Sequence, residues 1–200
     1  QRLNPHEGTR LTEDSVRPEP TANQQAVLAD LLGALQEQKF KPFLLHGVTG
    51  SGKTEVYLQA LRQCMGQGRR GIVLVPEISL TPQAIQRYQA RFPGRVAVLH
   101  SGLSAAEHRR TWWALRNGAY DVVIGPRSAL FAPLEQLGLI IVDEEHEWTY
   151  KQQDADPRYH ARTVALYLAQ LTGSVVILGS ATPDVVSYHR ALSGSRLRLL

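Results

Sequence analysis

The sequence predicts an α/β fold in which helices cover both faces of a parallel β-sheet, giving three layers. Two observations predict this class. Short segments that are apolar at every position, such as LIIV at 139–142 and VVIL at 175–178, have the composition of strands buried on both faces. Segments of helical pattern separate them, and this alternation produces parallel strands joined by right-handed crossovers.

The first predicted helix covers residues 23–38, where Leu28, Leu31, Leu32 and Leu35 form one apolar stripe. After it the pattern predicts, in order, the strand FLLHGV, a helix over 53–65 and the strand GIVLVP.

Local capping signals place the next two helices. Thr81 is a suitable N-cap with Pro82 at the first helical position, ahead of the strand RVAVLH. Ser104 and Glu107 form a capping-box pattern that opens a helix ending near Asn117.

The second half continues the alternation. It predicts the strands YDVVIG and LGLIIVDEE, a helix over 158–171, the strand SVVILGSAT, a helix starting at Pro183 and a strand at 197–200.

The bulk properties suit one folded domain. The chain has 200 residues, a net charge of +4 and a pI near 9.4, which allows a polyanionic partner without requiring one. Its one cysteine, Cys64, excludes a disulfide within the chain and a cysteine-based zinc site. No apolar run approaches the roughly 18 residues of a membrane span, so we expect a cytoplasmic protein.

Residues 1–20 are polar and punctuated by proline, unlike a signal peptide, and we expect a flexible linker or tail there. Residues 21–200 are then the folded domain. The first residue is Gln rather than Met, which suggests a fragment of a larger protein.

The segment GVTGSGKT, Gly47 to Thr54, matches the phosphate-loop pattern and lies between a predicted strand and a predicted helix. Its glycines let backbone N–H groups surround phosphate oxygens. Lys53 is expected to reach the β- and γ-phosphates, and Thr54 to ligate Mg²⁺. A dinucleotide fingerprint is excluded because Glu55 stands where it requires a third glycine.

An acidic cluster ends the strand LGLIIV. Sites in parallel sheets form at the carboxyl ends of strands, so Asp143 is expected near the phosphate loop as a Mg²⁺ ligand. Glu144 is the expected general base for the attacking water. For Glu145 a structural role and a coupling role are both open. A zincin motif is excluded because Tyr150 replaces the second histidine of H-E-x-x-H.

Several motifs together resemble the bacterial PriA family of replication-restart helicases, within helicase superfamily 2. They are LLHGVTGSGKTEVYL, LVPEISLTPQ, LHSGLS, RSALFAPL, DEEH, YKQ, RYHAR and LGSATP, and they cover residues 21–200. The resemblance implies the first of two RecA-like motor lobes of a helicase that moves 3′-to-5′ on forked or single-stranded DNA. It further implies ATP and Mg²⁺ as cofactors, with zinc bound elsewhere in the full-length protein. The partners that it implies for the full-length protein are a second helicase lobe, primosome proteins and single-strand-binding proteins.

The resemblance also assigns residues. It implies that Gln24 reads adenine and that His146, Ser180 and Thr182 couple hydrolysis to DNA movement. The implied nucleotide-binding set is Gln24, Gly47, Gly50, Ser51, Gly52, Lys53, Thr54 and Glu55.

The expected DNA contacts fall into two groups. Polar residues that follow strands suit phosphate contacts: Thr81, His100, Ser101, Arg127 and Ser128. Thr81 as a helix cap only, and His100 as a satisfied histidine at the core edge, remain open alternatives. The second group lies in an aromatic-rich segment suited to stacking on bases and meeting phosphates: Trp148, Tyr150, Lys151, Arg158, Tyr159 and Arg162. A mobile surface loop is the alternative there.

The chain departs from the family at Pro126, where a threonine is usual, and at Thr163, where an acid is usual. The family's Trp before RYHAR is also missing. Trp112 and Trp113 are adjacent, so they point to different sides of a helix; one suits the core, and stacking is an option for the other. Two alternatives to a DNA helicase lobe stay open: a nucleotide- or DNA-binding module without turnover, and an RNA helicase lobe.

Overall fold

The computed structural model describes residues 21–153, 156–194 and 197–200. The predicted tail at 1–20 lies outside the described residues. Within the described part, none of the helices is both long and apolar enough to cross a membrane.

The described residues form a seven-stranded, entirely parallel sheet in the order β3-β4-β2-β5-β6-β1-β7. The strands are β1 Lys41–His46, β2 Arg70–Leu74, β3 Val96–Val98, β4 Val122–Gly125, β5 Leu137–Val142, β6 Val175–Ser180 and β7 Arg198–Leu199. The predicted strand order along the chain is therefore confirmed.

Helices connect the strands and cover both faces of the sheet, as predicted. They are α1 Ala22–Glu37, α2 Lys53–Gly66, α3 Pro82–Arg91, α4 Ala105–Arg116, α5 Ala161–Thr172 and α6 Val185–Leu192, with short 3₁₀ turns at Glu77–Ser79, Arg127–Phe131 and Trp148–Tyr150. Buried side chains of α1, α2 and α3 pack on one face, and those of α4, α5 and α6 on the other.

Capping explains where these helices begin. The hydroxyl of Thr81 accepts from the N–H of Ala84, and Ser104 and Glu107 form the predicted reciprocal capping box. The predicted first residues of two helices were wrong. Helix α6 begins two residues after Pro183 because Asp184 caps it, and α5 begins at Ala161 because the ring of His160 caps it.

The strand order determines where the functional loops lie. Strand β6 pairs with β1 on one side and β5 on the other, with His46 opposite Ser180 and Val142 opposite Leu178. The segments that follow β1, β6 and β5 therefore emerge side by side at one edge of the sheet. These are the phosphate loop, the segment after GSAT and the acidic cluster.

Candidate nucleotide and DNA site

The phosphate loop leaves β1 and is held by β6, since the N–H of Gly47 donates to the carbonyl of Ser180 at 3.1 Å. Gly50 and Gly52 both have positive φ, near 81° and 85°, which only glycine adopts at little cost. A Cβ at Gly52 would also collide with the Gln24 side chain. The loop thus reaches the N-terminus of α2, where Lys53 is the first helical residue.

Lys53 and Gln24 both contact the loop backbone. The Lys53 ammonium donates to the carbonyl of Gly47 at 2.7 Å, so its charge lies within the loop that is expected to take phosphate. The Gln24 amide donates to the carbonyl of Ser51 at 2.7 Å, and its oxygen accepts from the N–H of Thr21 at 3.0 Å. Gln24 thereby joins the N-terminal cap of α1 to the phosphate loop. The reading of adenine by Gln24 stays a prediction.

The carboxylate of Glu55 is engaged by side chains of the helical layer. It pairs with Arg91 of α3 and accepts from Gln59 at 3.2 Å. Both partners lie on the helical layer, so the position of Glu55 supports packing of α2 against α3 rather than the predicted nucleotide contact.

Two buried tyrosines hold Asp143. The hydroxyl of Tyr57 donates to its carboxylate at 3.0 Å, and the hydroxyl of Tyr150 donates to its backbone carbonyl at 2.6 Å. Burial raises the pKa of Asp143, while the Tyr57 hydrogen bond acts in the opposite direction. A Cβ at Gly179 would collide with the Tyr57 hydroxyl, which explains a glycine there.

Glu144 has an unusual backbone conformation. Its φ is 47°, in the left-handed region that a side chain adopts at a cost. Its carboxylate lies 3.7 Å from Nδ1 of His146 and is partly exposed. Strain at the residue expected to act as general base indicates that the surrounding contacts determine the direction of this side chain.

The three expected coupling residues lie in contact. Nδ1 of His146 is 2.7 Å from the hydroxyl of Ser180, and Nε2 is 3.4 Å from that of Thr182. The Ser180 hydroxyl also accepts from the N–H of Thr182 at 3.0 Å. The acidic cluster and the segment after β6 are therefore joined through one imidazole ring.

Glu145 is a buried structural residue. Its side chain is fully buried and accepts from Arg162 at 2.5 Å, from the N–H of Asp184 at 2.7 Å and from the hydroxyl of Ser187 at 3.1 Å. These contacts support a structural role for Glu145, and the coupling role stays a prediction. They also correct the expectation that Arg162 meets DNA phosphates, because its guanidinium is committed to this cluster and to Asp184, 3.4 Å away.

The aromatic-rich segment divides into a buried part and an exposed part. Tyr150 is buried among core side chains, which corrects the expectation that its ring stacks on a base. Trp148 is 73% exposed, and Tyr159 meets the exposed ring of Phe131 edge-on at 5.4 Å. Lys151 is exposed as well. These placements leave Trp148, Tyr159 and Lys151 accessible to a ligand.

Arg127 supports this segment from a neighbouring turn. Its guanidinium donates to the carbonyl of Thr149 at 2.8 Å and to that of Lys151 at 3.4 Å. Its contact with phosphate stays a prediction, as does that of exposed Arg158. Sequence reasoning missed Tyr57, whose only signal was a position one turn into α2.

A groove of about 550 Å³ lies beside the ends of β3 and β4, and His100, Ser101, Ser128, Pro126, His108 and Arg109 are among its lining residues. Three predicted DNA contacts thus come together there. Pro126 replaces a hydroxyl and an N–H within it. Nδ1 of the exposed His100 accepts from the N–H of Gly102 at 3.2 Å, while Thr81 caps α3 away from the groove lining.

The residues present fit Mg²⁺. The hydroxyl of Thr54 and the carboxylate of Asp143 are oxygen donors, which this ion prefers, and nucleotide phosphates and water ordinarily supply its other ligands. Among the described residues, no group of three or more His, Cys, Asp or Glu side chains is arranged to hold a metal ion by itself.

Comparison with known proteins identifies the family to which this chain is similar. The profile of the DEAD/DEAH box helicases matches residues 21–190. The chain is 51% identical over 174 residues to the replication restart protein PriA of Bacillus subtilis, covering 87% of this chain and 22% of that protein. It is 49% identical over 171 residues to the PriA of Chlamydia pneumoniae, covering 86% of this chain and 23% of that protein. The resemblance to PriA is confirmed, and the chain spans less than a quarter of these relatives.

Solved structures of lower identity share the fold. RecG bound to a three-way DNA junction matches with a TM-score of 0.67 and 24% identity, over 92% of this chain and 24% of that one. The Hef helicase domain of Pyrococcus furiosus matches with a TM-score of 0.64 and 19% identity, over 90% of this chain and 37% of that one. These neighbours confirm the RecA-like architecture.

Replacing Tyr57 by Phe is expected to raise the pKa of Asp143 further, because the lost hydrogen bond favours the carboxylate. A raised native pKa makes ionisation costly in the folded state. Because the unfolded value of about 3.9 is common to both proteins, the additional stability loss of the variant appears as pH rises above the native pKa of Asp143 in the unaltered protein. Denaturant unfolding at several pH values measures this. Tyr88→Phe, which removes another buried hydroxyl, is the control; a loss independent of pH would contradict the assignment.

Replacing Arg162 by Ala is expected to lower the free energy of unfolding by about 3–5 kcal/mol, because it leaves the buried Glu145 carboxylate without its cation. Arg158→Ala breaks an ion pair whose side chains are 75% and 90% exposed, and little change is expected. Urea denaturation compares the two. Similar losses would show that Glu145 does not depend on Arg162.

Proposed function

The chain belongs to the DEAD/DEAH box helicase family, and from this premise we propose that it is the ATP-binding motor lobe of a DNA helicase in replication restart. The proposal includes 3′-to-5′ translocation at stalled or branched forks. It is supported by the similarity to proteins named replication restart protein PriA. Such a role belongs in the cytoplasm, where bacterial DNA is replicated.

One observation carries the proposal. The phosphate loop, the acidic strand end and the His146–Ser180–Thr182 contacts lie together at one edge of the sheet. A nucleotide bound in the loop would place its terminal phosphate beside both Asp143 and Glu144, and His146 would sense whether that phosphate is present.

The residues have distinct tasks in hydrolysis. The loop N–H groups and the N-terminus of α2 bind the phosphates, and Lys53 leaves the Gly47 carbonyl to contact the β- and γ-phosphates. Bound Mg²⁺ would neutralise phosphate charge, with Thr54 and Asp143 holding it. Glu144 accepts a proton from a water molecule aligned with the γ-phosphate, and its constrained backbone directs its carboxylate.

Coupling would pass through His146. Its ring contacts both hydroxyls that follow β6, and these can change partners when the γ-phosphate leaves. The same acidic segment continues into the exposed Trp148. A base stacked on this ring would therefore be connected to the hydrolytic residues along the chain.

The lobe is expected to need the rest of the full-length protein for rapid ATP hydrolysis. A second lobe ordinarily supplies an arginine that raises turnover by orders of magnitude, so we propose that residues 1–200 alone bind ATP–Mg²⁺ and hydrolyse it weakly. Zinc and interactions with primosome or single-strand-binding proteins belong to the full-length protein in this proposal.

Two alternatives make different predictions. A binding module without turnover would show no ATP hydrolysis in the full-length protein. An RNA helicase would be stimulated by structured RNA more than by forked DNA. ATPase assays of the full-length protein with each nucleic acid, side by side, separate all three.

Replacing Lys53 by Ala in the full-length protein is expected to lower ATP hydrolysis by about a hundredfold or more, because it removes a cation from the transferred phosphate. DNA binding is expected to be retained, since the groove lies apart from the loop. Fluorescence anisotropy with a labelled fork measures DNA binding, with the exposed Lys39→Ala as control. Equal loss of both activities would mean that Lys53 serves the fold.

Replacing Trp148 or Tyr159 by Ala is expected to reduce the ratio of DNA-stimulated to DNA-independent ATP hydrolysis by about tenfold, because an aromatic stacking platform is lost. The control is Tyr167→Ala, which removes a ring that is 64% exposed on α5. An unchanged ratio in both variants would refute the role of this segment in sensing DNA.

A further inference from the structure

Helix α4 leaves most of its surface to solvent. Of its residues Ala105–Arg116 only Leu115 is buried. Trp113 is 53% exposed, although a large ring of this kind is ordinarily covered. Arg109, Arg110 and Arg116 are exposed as well. We refer to these four residues as the α4 patch.

The arginines of the patch, like several others among the described residues, are not paired with an acidic side chain. Salt bridges among the described residues use Arg70, Arg91, Arg95, Arg158, Arg162 and Arg198, and none uses an arginine of α4. The one acid on this helix, Glu107, is engaged in the capping box and lies near Arg110. The positive charge of the patch is therefore largely available to an anion.

The spacing places the indole among these cations. Arg109 and Arg110 precede Trp113 by one helical turn and Arg116 follows it by one turn, so all three are its neighbours on the helix surface. Arg116 also lies over the ring of Trp112, 5.9 Å from its centroid, and Trp112 meets Trp113 edge-on at 5.2 Å. These contacts hold the exposed indole on a supported surface.

The patch continues the groove in which three of the predicted DNA contacts come together. His108 and Arg109 line this groove together with His100, Ser101 and Ser128. A strand that crosses the groove meets Arg109 first and then Trp113 on the next turn of α4. No gap separates the two surfaces, because Arg109 belongs to both.

We propose that the α4 patch binds a single-stranded arm of DNA as it leaves the groove. The arginines contact its phosphates, and the indole of Trp113 stacks on an unpaired base. The inference rests on the proposed function, because it extends the DNA path of the same lobe. An acidic peptide would use the same cations, but the exposed ring and the continuity with the groove favour a nucleic acid.

The first test removes the positive charge of the α4 patch. In the full-length protein, Arg109, Arg110 and Arg116 are replaced together by Gln, and the control replaces the exposed Arg62, Arg87 and Arg190 of other helices by Gln. Both variants lose the same charge. Binding of a fluorescein-labelled oligothymidylate is measured against salt. The slope of the logarithm of the binding constant against the logarithm of the salt concentration is expected to be smaller by about 2 in the patch variant. Each of the three lost phosphate contacts contributes roughly 0.7 to this slope.

The second test examines the ring. Trp113→Ala is expected to weaken binding of the oligothymidylate by about tenfold, and Trp113→Phe to retain most of the affinity. Binding of a blunt duplex is expected to be unaffected by either change, because its bases are already stacked. Thermal unfolding of each variant verifies that the lobe remains folded.

The two tests distinguish failure of this inference from failure of the proposed function. Equal losses in the patch and control variants, or equal effects of Trp113→Ala on oligothymidylate and duplex, would overturn the inference. So would a patch that binds an oligoglutamate peptide while its loss leaves DNA binding unchanged. If the unaltered protein bound none of these DNAs, the proposed function itself would fail.

Discussion

The hydrogen-bonded ladder of β1, β6 and β5 is the constraint on which the rest of the site depends. Three segments far apart in sequence leave neighbouring strands of this ladder at the same edge of the sheet. Their strands are almost wholly buried, so a shift of register would expose core side chains and open the backbone pairing. The distances between the phosphate loop, Asp143 and Ser180 are therefore properties of the sheet rather than of the loops.

Three successive carboxylates at the end of β5 then acquire three environments. Asp143 is enclosed and receives a tyrosine hydroxyl, and burial raises its pKa. Glu144 takes a left-handed backbone and stays partly exposed, which suits its proposed role as a base for water. Glu145 turns inward and is neutralised by Arg162. Because adjacent side chains leave a turn in different directions, one short motif can supply the metal ligand and the base of the proposed function together with a structural anchor.

Sequence alone could predict what local rules determine. The apolar strands, the phosphate loop and the caps at Thr81 and Ser104 depend on residues within one or two turns, and the structure contains all of them. Contacts between distant segments could not be predicted. Tyr57 and Asp143 are 86 residues apart, and an arginine beside aromatic residues has the same local pattern whether it faces DNA or a buried glutamate. That ambiguity is why Arg162 and Tyr150 were assigned to the wrong surface.

The buried positions of Tyr150 and Arg162 strengthen the proposal that the aromatic-rich segment couples DNA binding to ATP hydrolysis. Tyr150 anchors it to the backbone of Asp143, and Arg162, just beyond it, anchors the start of α5 to Glu145. Arg127 holds the middle through the carbonyl of Thr149. Trp148 lies exposed directly before the first of these fixed points. In the proposed function, a base stacked on this ring would act on a segment whose neighbouring anchors end on Asp143 and Glu145, on either side of Glu144.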